Sequence, residues 1–200
     1  MIALIDYGAG NLTSVRKALT HLGAEIATPQ APDDLELARG IIVPGVGHFD
    51  ATRAITDEWR AGIRAAVARG AALFGICLGM QWLFDGSTEA PGLPGLAAFA
   101  GLCTRLPSDG TLVKIPHVGW NNLTQPQPTR LMAGIEQDAQ VYFTHSYAAP
   151  LTSAAAATTT YGAATFTSAV EHGRIAGAQF HPEKSGDVGL RILKNWLDAL

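Results

Sequence analysis

Apolar positions in the first half of the chain come in short unbroken runs separated by amphipathic stretches. Ile2-Ala3-Leu4-Ile5, Ile41-Ile42-Val43 and Ala71 to Ile76 are continuous, the pattern of strands covered on both faces. Glu25 to Thr28 reads as a further short strand. Val15, Ala18, Leu19 and Leu22 repeat at helical spacing and stop at Gly23. An alanine-rich amphipathic stretch predicts one helix from about Asp50 to Arg69, ended by Gly70. This alternation predicts an α/β fold with a doubly wound, mostly parallel central sheet flanked by helices. After Glu89 the texture changes, and Pro91, Pro94 and Pro107 punctuate short strand-like segments. Gly101 to Arg105, Val141 to Thr144, Thr158 to Val170 with a turn at Tyr161-Gly162, and Arg174 to Phe180 predict extra strands, antiparallel in part. Ala154 to Ala157 is helical by propensity, but the threonines after it predict a sheet edge or loop. Gly189 to Leu200 predicts a closing helix with Leu190, Leu193, Trp196 and Leu197 on its apolar face. Without repeat or linker, the 200 residues read as a single domain over 1–200.

Composition narrows the class. With 48% hydrophobic and 16% charged residues the chain is no disordered segment. A net charge of -3, with Lys and Arg scattered, speaks against a nucleic-acid partner. No apolar run reaches the roughly 18 residues of a membrane span. Met1 to Asp6 lacks the marks of a signal peptide. A cytoplasmic location is expected, where a free thiol survives. The two cysteines, Cys77 and Cys103, form no disulfide framework, and Cys103 reads as core filler. The scattered Cys and His offer no metal-ligand spacing, so neither metal nor other cofactor is expected. Gly8-Ala9-Gly10-Asn11 invites a dinucleotide reading, which fails because Thr13 stands where the third glycine would be.

Gly75-Ile76-Cys77-Leu78-Gly79 lies between a buried strand and a helix-like run from Met80 to Phe84. The same construction with serine is a nucleophile elbow, a tight strand-to-helix turn that lifts one reactive side chain above the sheet. Glycines flank the nucleophile because side chains there would clash. The helix N-terminus beside the sulfur favours thiolate over thiol. Alone, a Gly-flanked cysteine is equally a core residue.

The second half of the chemistry is Gln179-Phe180-His181-Pro182-Glu183 at the end of a predicted strand. A cysteine nucleophile needs a base to take its proton and return it to the leaving amine. The base needs an acceptor to hold its tautomer. His181 and Glu183 supply both, since i and i+2 side chains share a side in extended chain and Pro182 stiffens the link.

With these segments the chain resembles the class I, triad-type glutamine amidotransferases. Asp6 to Asn11, Pro44-Gly45-Val46-Gly47-His48-Phe49, Ile115-Pro116-His117-Val118-Gly119-Trp120-Asn121 and Tyr142 to Tyr147 resemble in particular the glutaminase subunits of imidazole glycerol phosphate synthases, from histidine biosynthesis. The likeness runs from Ile2 to the last helix. It implies hydrolysis of L-glutamine to glutamate and ammonia through a glutamyl thioester, with Cys77 as nucleophile, His181 as acid and base, and Glu183 orienting His181. The oxyanion would be held by Leu78 N–H and by an N–H of Gly45 or Val46, on a loop that would flip to present it. Gln81, Glu89, His145, Ser146 and Tyr147 would contact the substrate. Ammonia would pass to a (β/α)8-barrel synthase subunit in a heterodimer, giving imidazole glycerol phosphate and an aminoimidazole carboxamide nucleotide. Asn11, Trp120, Tyr142 and Lys184 would face the barrel, Lys184 through a salt bridge. His48, His117 and His172 read as structural. Thr144 departs from the aliphatic residue expected there, and Gln125 to Gln137 and Ala154 to Thr160 carry no signature of the family. The alternatives are the glutaminase subunit of another amidotransferase, and a cysteine peptidase or hydrolase on a related fold.

Overall fold

The computed structural model describes residues 1–108, 113–125 and 127–200. Pro126, inside the Gln125 to Gln137 stretch, lies outside the described residues. The first half alternates as the apolar runs require: β1 (Ile2–Leu4), α1 (Leu12–His21), β2 (Ile26–Ala27), β3 (Gly40–Val43), α2 (Asp57–Ala68), β4 (Ala72–Ile76) and α3 (Leu78–Trp82). The second half is strand-rich: β5 (Gly86–Ser87), β6 (Leu102–Arg105), β7 (His117–Asn122), β8 (Gln140–His145), β9 (Tyr147–Ala148), β10 (Ala155–Tyr161), β11 (Ala164–His172) and β12 (Ile175–Ala178), closed by α4 (Gly186–Leu197).

Seven strands form the central sheet in the order β10-β11-β12-β4-β3-β1-β2. From β12 to β2 every neighbouring pair is parallel, and β10 and β11 add antiparallel strands at one edge. Side chains sort by the two-residue period of a strand. Ile2 and Leu4 of β1, with Ala72, Phe74 and Ile76 of β4, enter one core, closed by Val15 and Leu19 of α1 and by Ile192, Leu193 and Trp196 of α4. Ala3, Ile41, Val43 and Leu73 enter the other, closed by Ile63 and Ala66 of α2 and by Leu78 and Met80 of α3. Both faces are buried, which is why these strands read as unbroken apolar runs. Strand β10 starts at Ala155 on the sheet edge, where the alanine-threonine stretch was expected.

One expectation needs correction. Asp50 to Arg69 is not one helix. Phe49–Ala54 winds as a 3₁₀ turn, Thr56 takes an extended conformation (φ -62°, ψ 172°), and α2 begins at Asp57. A 3₁₀ turn stacks residues three apart, and this one buries Phe49 and Thr52 together. Thr56 then serves as N-cap, with Asp57 and Glu58 in the favourable first turn. On α4, Leu193 and Trp196 are buried in the core and Leu190 and Leu197 pack against it, as expected, with Ile192 and Gly189 joining the buried face. Gly189 sits against the chain at Pro182, whose carbonyl a Cβ there would strike.

The parallel core has one consequence for function. The loops after β1, β3, β4 and β12 leave the sheet at the same carboxyl edge, where sites gather in such sheets. They carry Tyr7 to Gly10, Pro44 to Gly47, Cys77, and His181 to Glu183.

Candidate active site

Cys77 follows β4 directly and precedes the first residue of α3, with φ 53° and ψ -106°. A side chain in this left-handed region costs about 1–2 kcal/mol, so the surroundings must hold it there. Its N–H donates to Ala178 O of β12 at 2.7 Å, and its carbonyl accepts from Gln81 N–H at 3.1 Å. Gly75 and Gly79 make the turn possible. A Cβ on Gly75 would sit 2.5 Å from Gly79 O, and one on Gly79 would run into the carbonyl of Val43. The sulfur is buried, 3.9 Å from the Thr144 carbonyl.

His181 is fixed by β8 next door. Its N–H donates to Tyr142 O at 2.9 Å, and its carbonyl accepts from Ser185 Oγ at 2.7 Å. Ser185 Oγ in turn accepts from Tyr142 N–H at 3.0 Å. Nδ1 of His181 lies 2.8 Å from Glu183 Oε1, with side chains 2% and 1% exposed. A carboxylate only accepts, so Nδ1 carries the hydrogen and Nε2 is left for the thiol side. Nε2 is buried without a hydrogen bond in this state. Burial opposes a charged imidazole here, yet the Cys77 sulfur and the Glu183 carboxylate outweigh it and raise the His181 pKa to about 9 from 6.5. The folded-state value lies above the unfolded one. The pair therefore stabilises the fold fully below pH 6.5, and that contribution is lost as pH rises through about 9. On the triad roles that the resemblance implies, Glu183→Gln should slow glutamine hydrolysis by about 10³-fold, less than loss of Cys77 would. Without the carboxylate the His181 pKa falls, so the alkaline limb of a kcat/KM profile should move to lower pH.

Cys77 lines a cavity of about 270 Å³ whose wall also includes Leu78, Gln81, Glu89 and the segment His145-Ser146-Tyr147. All five residues expected to contact substrate are thus brought together. Glu89 Oε2 accepts the Phe49 N–H at 2.8 Å, which ties this carboxylate to the loop after β3. That loop is poised against the neighbour of Cys77: Leu78 N–H donates to Gly45 O at 3.3 Å. A Cβ on Gly45 would lie 2.9 Å from Leu78 Cβ and would strike the Tyr7 hydroxyl. Gly10 packs behind it, its Cβ position 3.4 Å from Gly45 Cα. The glycine turn after β1 is therefore a wall of the Gly45 loop. Val46 is exposed.

Three features were not read from the sequence. The Tyr7 hydroxyl is buried without a partner beside Gly45, and burial, then the Cys77 charge, pushes its pKa up. His117, read as structural, lies 3.1 Å through Nδ1 from His145 Nε2. Gln179, buried completely, contacts both Gln81 and Cys77. A polar residue in an otherwise apolar strand end two positions before His181 was the available signal for Gln179.

On the outer face Trp120 is 55% exposed, its ring 6.1 Å from Tyr142, and Lys184 Nζ stands 5.9 Å from the Tyr142 ring centre. Three of the four expected interface residues thus form one patch, beside exposed Val118. The fourth, Asn11, is exposed and caps α1 by accepting from Ser14 N–H at 3.2 Å. Cys103 is fully buried, as core filler would be, and burial pushes its thiol up. Among the described residues no helix is long and apolar enough to cross a membrane. Among them, too, no three His, Cys, Asp or Glu side chains gather as a metal site.

The family model for class-I glutamine amidotransferases matches residues 3–200. The chain is 40% identical to imidazole glycerol phosphate synthase subunit HisH of Methanothermobacter thermautotrophicus, over 100% of this chain and 99% of that one. It is 44% identical to the Thermococcus kodakarensis subunit of the same name, over 98% of each. Among solved structures, a glutamine amidotransferase crystal structure superposes with TM-score 0.75 at 21% identity, covering 99% of this chain and 97% of that chain. PurLQS from Thermotoga maritima gives 0.72 at 18%, covering 98% and 97%. At such identities these structures speak for the fold alone. The full-length match and the 40–44% identities decide the family: the chain belongs to the class-I glutamine amidotransferases and, within them, to the HisH subunits of imidazole glycerol phosphate synthase.

Proposed function

We propose that this chain is the glutaminase subunit of such a synthase, with Cys77, His181 and Glu183 as its triad. The observation that carries the reading is that Cys77 lines an amino-acid-sized cavity walled by Gln81 and Glu89 while its sulfur acts electrostatically on His181, itself paired with Glu183. The Cys77 thiolate attacks the side-chain amide carbon of L-glutamine and forms a C–S bond. The tetrahedral oxyanion collapses, His181 gives its proton to the departing nitrogen, and ammonia leaves a glutamyl thioester. His181 then takes a proton from water, whose oxygen attacks the thioester, and glutamate leaves as the thiolate returns. Glu89 suits the α-ammonium group of the substrate, with His145, Ser146 and Tyr147 lining the same wall.

The oxyanion needs donors already aimed at it. Leu78 N–H is one, but it is engaged by the Gly45 carbonyl. Gly45 C=O and Val46 N–H belong to one peptide plane and point opposite ways. Turning that plane over frees Leu78 N–H and puts Val46 N–H in place of the carbonyl. Val46, rather than Gly45, is then the second donor, and the state described here is the idle one.

The partner is a (β/α)8-barrel synthase subunit docked on Trp120, Tyr142, Lys184 and Asn11, which receives the ammonia. Mixed aromatic and cationic patches of this kind anchor protein interfaces, and Lys184 immediately follows the triad carboxylate. The test is glutamate release from glutamine by the pure chain, alone and with the barrel subunit plus its nucleotide ligand. Little release alone and strong release with both is expected. Silence in both, with a folded protein, would refute the assignment.

A further inference from the structure

Cys77 Sγ has a second polar neighbour that the triad does not use. Gln179 Nε2 lies 3.7 Å from the sulfur. Gln179 is 0% exposed, and its backbone N–H is held by Ser168 O at 2.9 Å. The orientation of its amide follows from the partners. Gln81 Nε2 is 2.8 Å from the Tyr147 carbonyl and 3.0 Å from Gln179 Oε1. A main-chain carbonyl only accepts, so the Gln81 atom facing it is the NH₂ group. The second hydrogen of that group points at Gln179, which must answer with its oxygen. The Gln179 NH₂ is thereby turned onto the sulfur. One backbone carbonyl sets both amides, and it is itself pinned: His145 Nδ1 lies 2.9 Å from Tyr147 O, and His145 Nε2 accepts from His117 Nδ1. Burial keeps both histidines neutral, lowering His145 to about 3 and His117 to about 4.

We propose that Gln179 is a thiolate-stabilising residue of this site, its N–H locked onto Cys77 Sγ by the Gln81–Tyr147 arrangement. The inference rests on the reading of Cys77 as the nucleophile. The sulfur has partners for both of its forms. The thiol can donate to the Thr144 carbonyl. The thiolate cannot, and turns to a donor, for which the Gln179 amide is already placed. A neutral amide suits the position, because it favours negative charge on sulfur without titrating or competing with His181 as a base.

The test is the rate of Cys77 alkylation by iodoacetamide against pH, read on the Cys77 peptide by mass spectrometry, in the full chain and in two variants. Gln179→Leu removes the donor and should move the profile up by about one pH unit, the scale of one hydrogen bond to a charged group. Gln179→Glu keeps the shape and the acceptor for Gln81 but sets an oxygen against the sulfur, and should move it at least as far in the same direction. With the barrel subunit present, kcat should fall about tenfold in Gln179→Leu with KM nearly unchanged. A profile unmoved in either variant, with thermal unfolding cooperative as in the parent, overturns the assignment. If instead Cys77 in the parent chain resists alkylation and glutamine gives no protection, the nucleophile reading itself has failed, a result distinct from the first.

Discussion

Replacing Cys77 by alanine should cut glutamine hydrolysis by about 10⁵-fold or more, while the partner synthase subunit still binds and synthesis with added ammonium salt persists. In the proposed mechanism this removes the atom that makes and breaks the C–S bond, as opposed to one that orients it, and that sets the magnitude. The triad acts as a unit, so adding Glu183→Gln to this variant should cost almost nothing further. The sparing of binding has a structural basis. Cys77 Sγ makes only weak contacts inside the cavity, whereas the Trp120–Tyr142–Lys184 patch is built from β7, β8 and the turn after β12. Glutamate release and ammonium-dependent product formation, measured on one preparation, check both halves. Loss of the ammonium-dependent reaction would show that Cys77 does more than hydrolyse glutamine.

Gly79→Ala should destabilise the fold by about 3 kcal/mol or more, at the upper end of overpacking penalties. For a chain of this length that lowers Tm by about 6–12 °C. The added methyl falls on the Val43 carbonyl. That carbonyl cannot give way as a side chain would, since Val43 is paired with Gly75 between two central strands. Relief requires α3 to lift off β3, and this carries Leu78 and the cavity wall with it. Hydrolysis should fall together with stability. A thermal melt of the variant indistinguishable from the parent would mean that α3 sits less tightly on β3 than described.

Much of this was legible before any coordinates. Unbroken apolar runs marked strands buried on both faces, and the glycines around Cys77 marked a turn with no room for side chains. His181-Pro182-Glu183 could be read as base and orienter because the two side chains reach each other within one segment. Less visible were features set by contacts between distant segments. The break at Ile55-Thr56 arises where Phe49 and Thr52 are buried together and the Phe49 N–H meets Glu89, forty residues away. Local periodicity carries no trace of that. The part played by Gln179 depends on which end of an amide faces the sulfur, and that is decided by the carbonyl of Tyr147. His117 packs as the structural residue it was read to be, but its partner, His145, is reached only across the β7–β8 pairing. The Gly45 loop was legible as a flexible glycine turn, but the direction its carbonyl takes is a property of the folded chain.

Cys77 and His181 follow neighbouring strands, β4 and β12, in the middle of the sheet. Strand β4 has partners on both sides, and Cys77 N–H is itself bonded across to Ala178. The centre of such a sheet is the last part of a molecule to open. Val46, Gly47 and His48, by contrast, are exposed at the rim. On warming, then, the Cys77–His181 arrangement should survive until the whole fold melts, while the Gly45–Val46 peptide proposed to restrain it loosens first. A warm chain with the proposed switch would err towards releasing ammonia unbidden before it ever became inert.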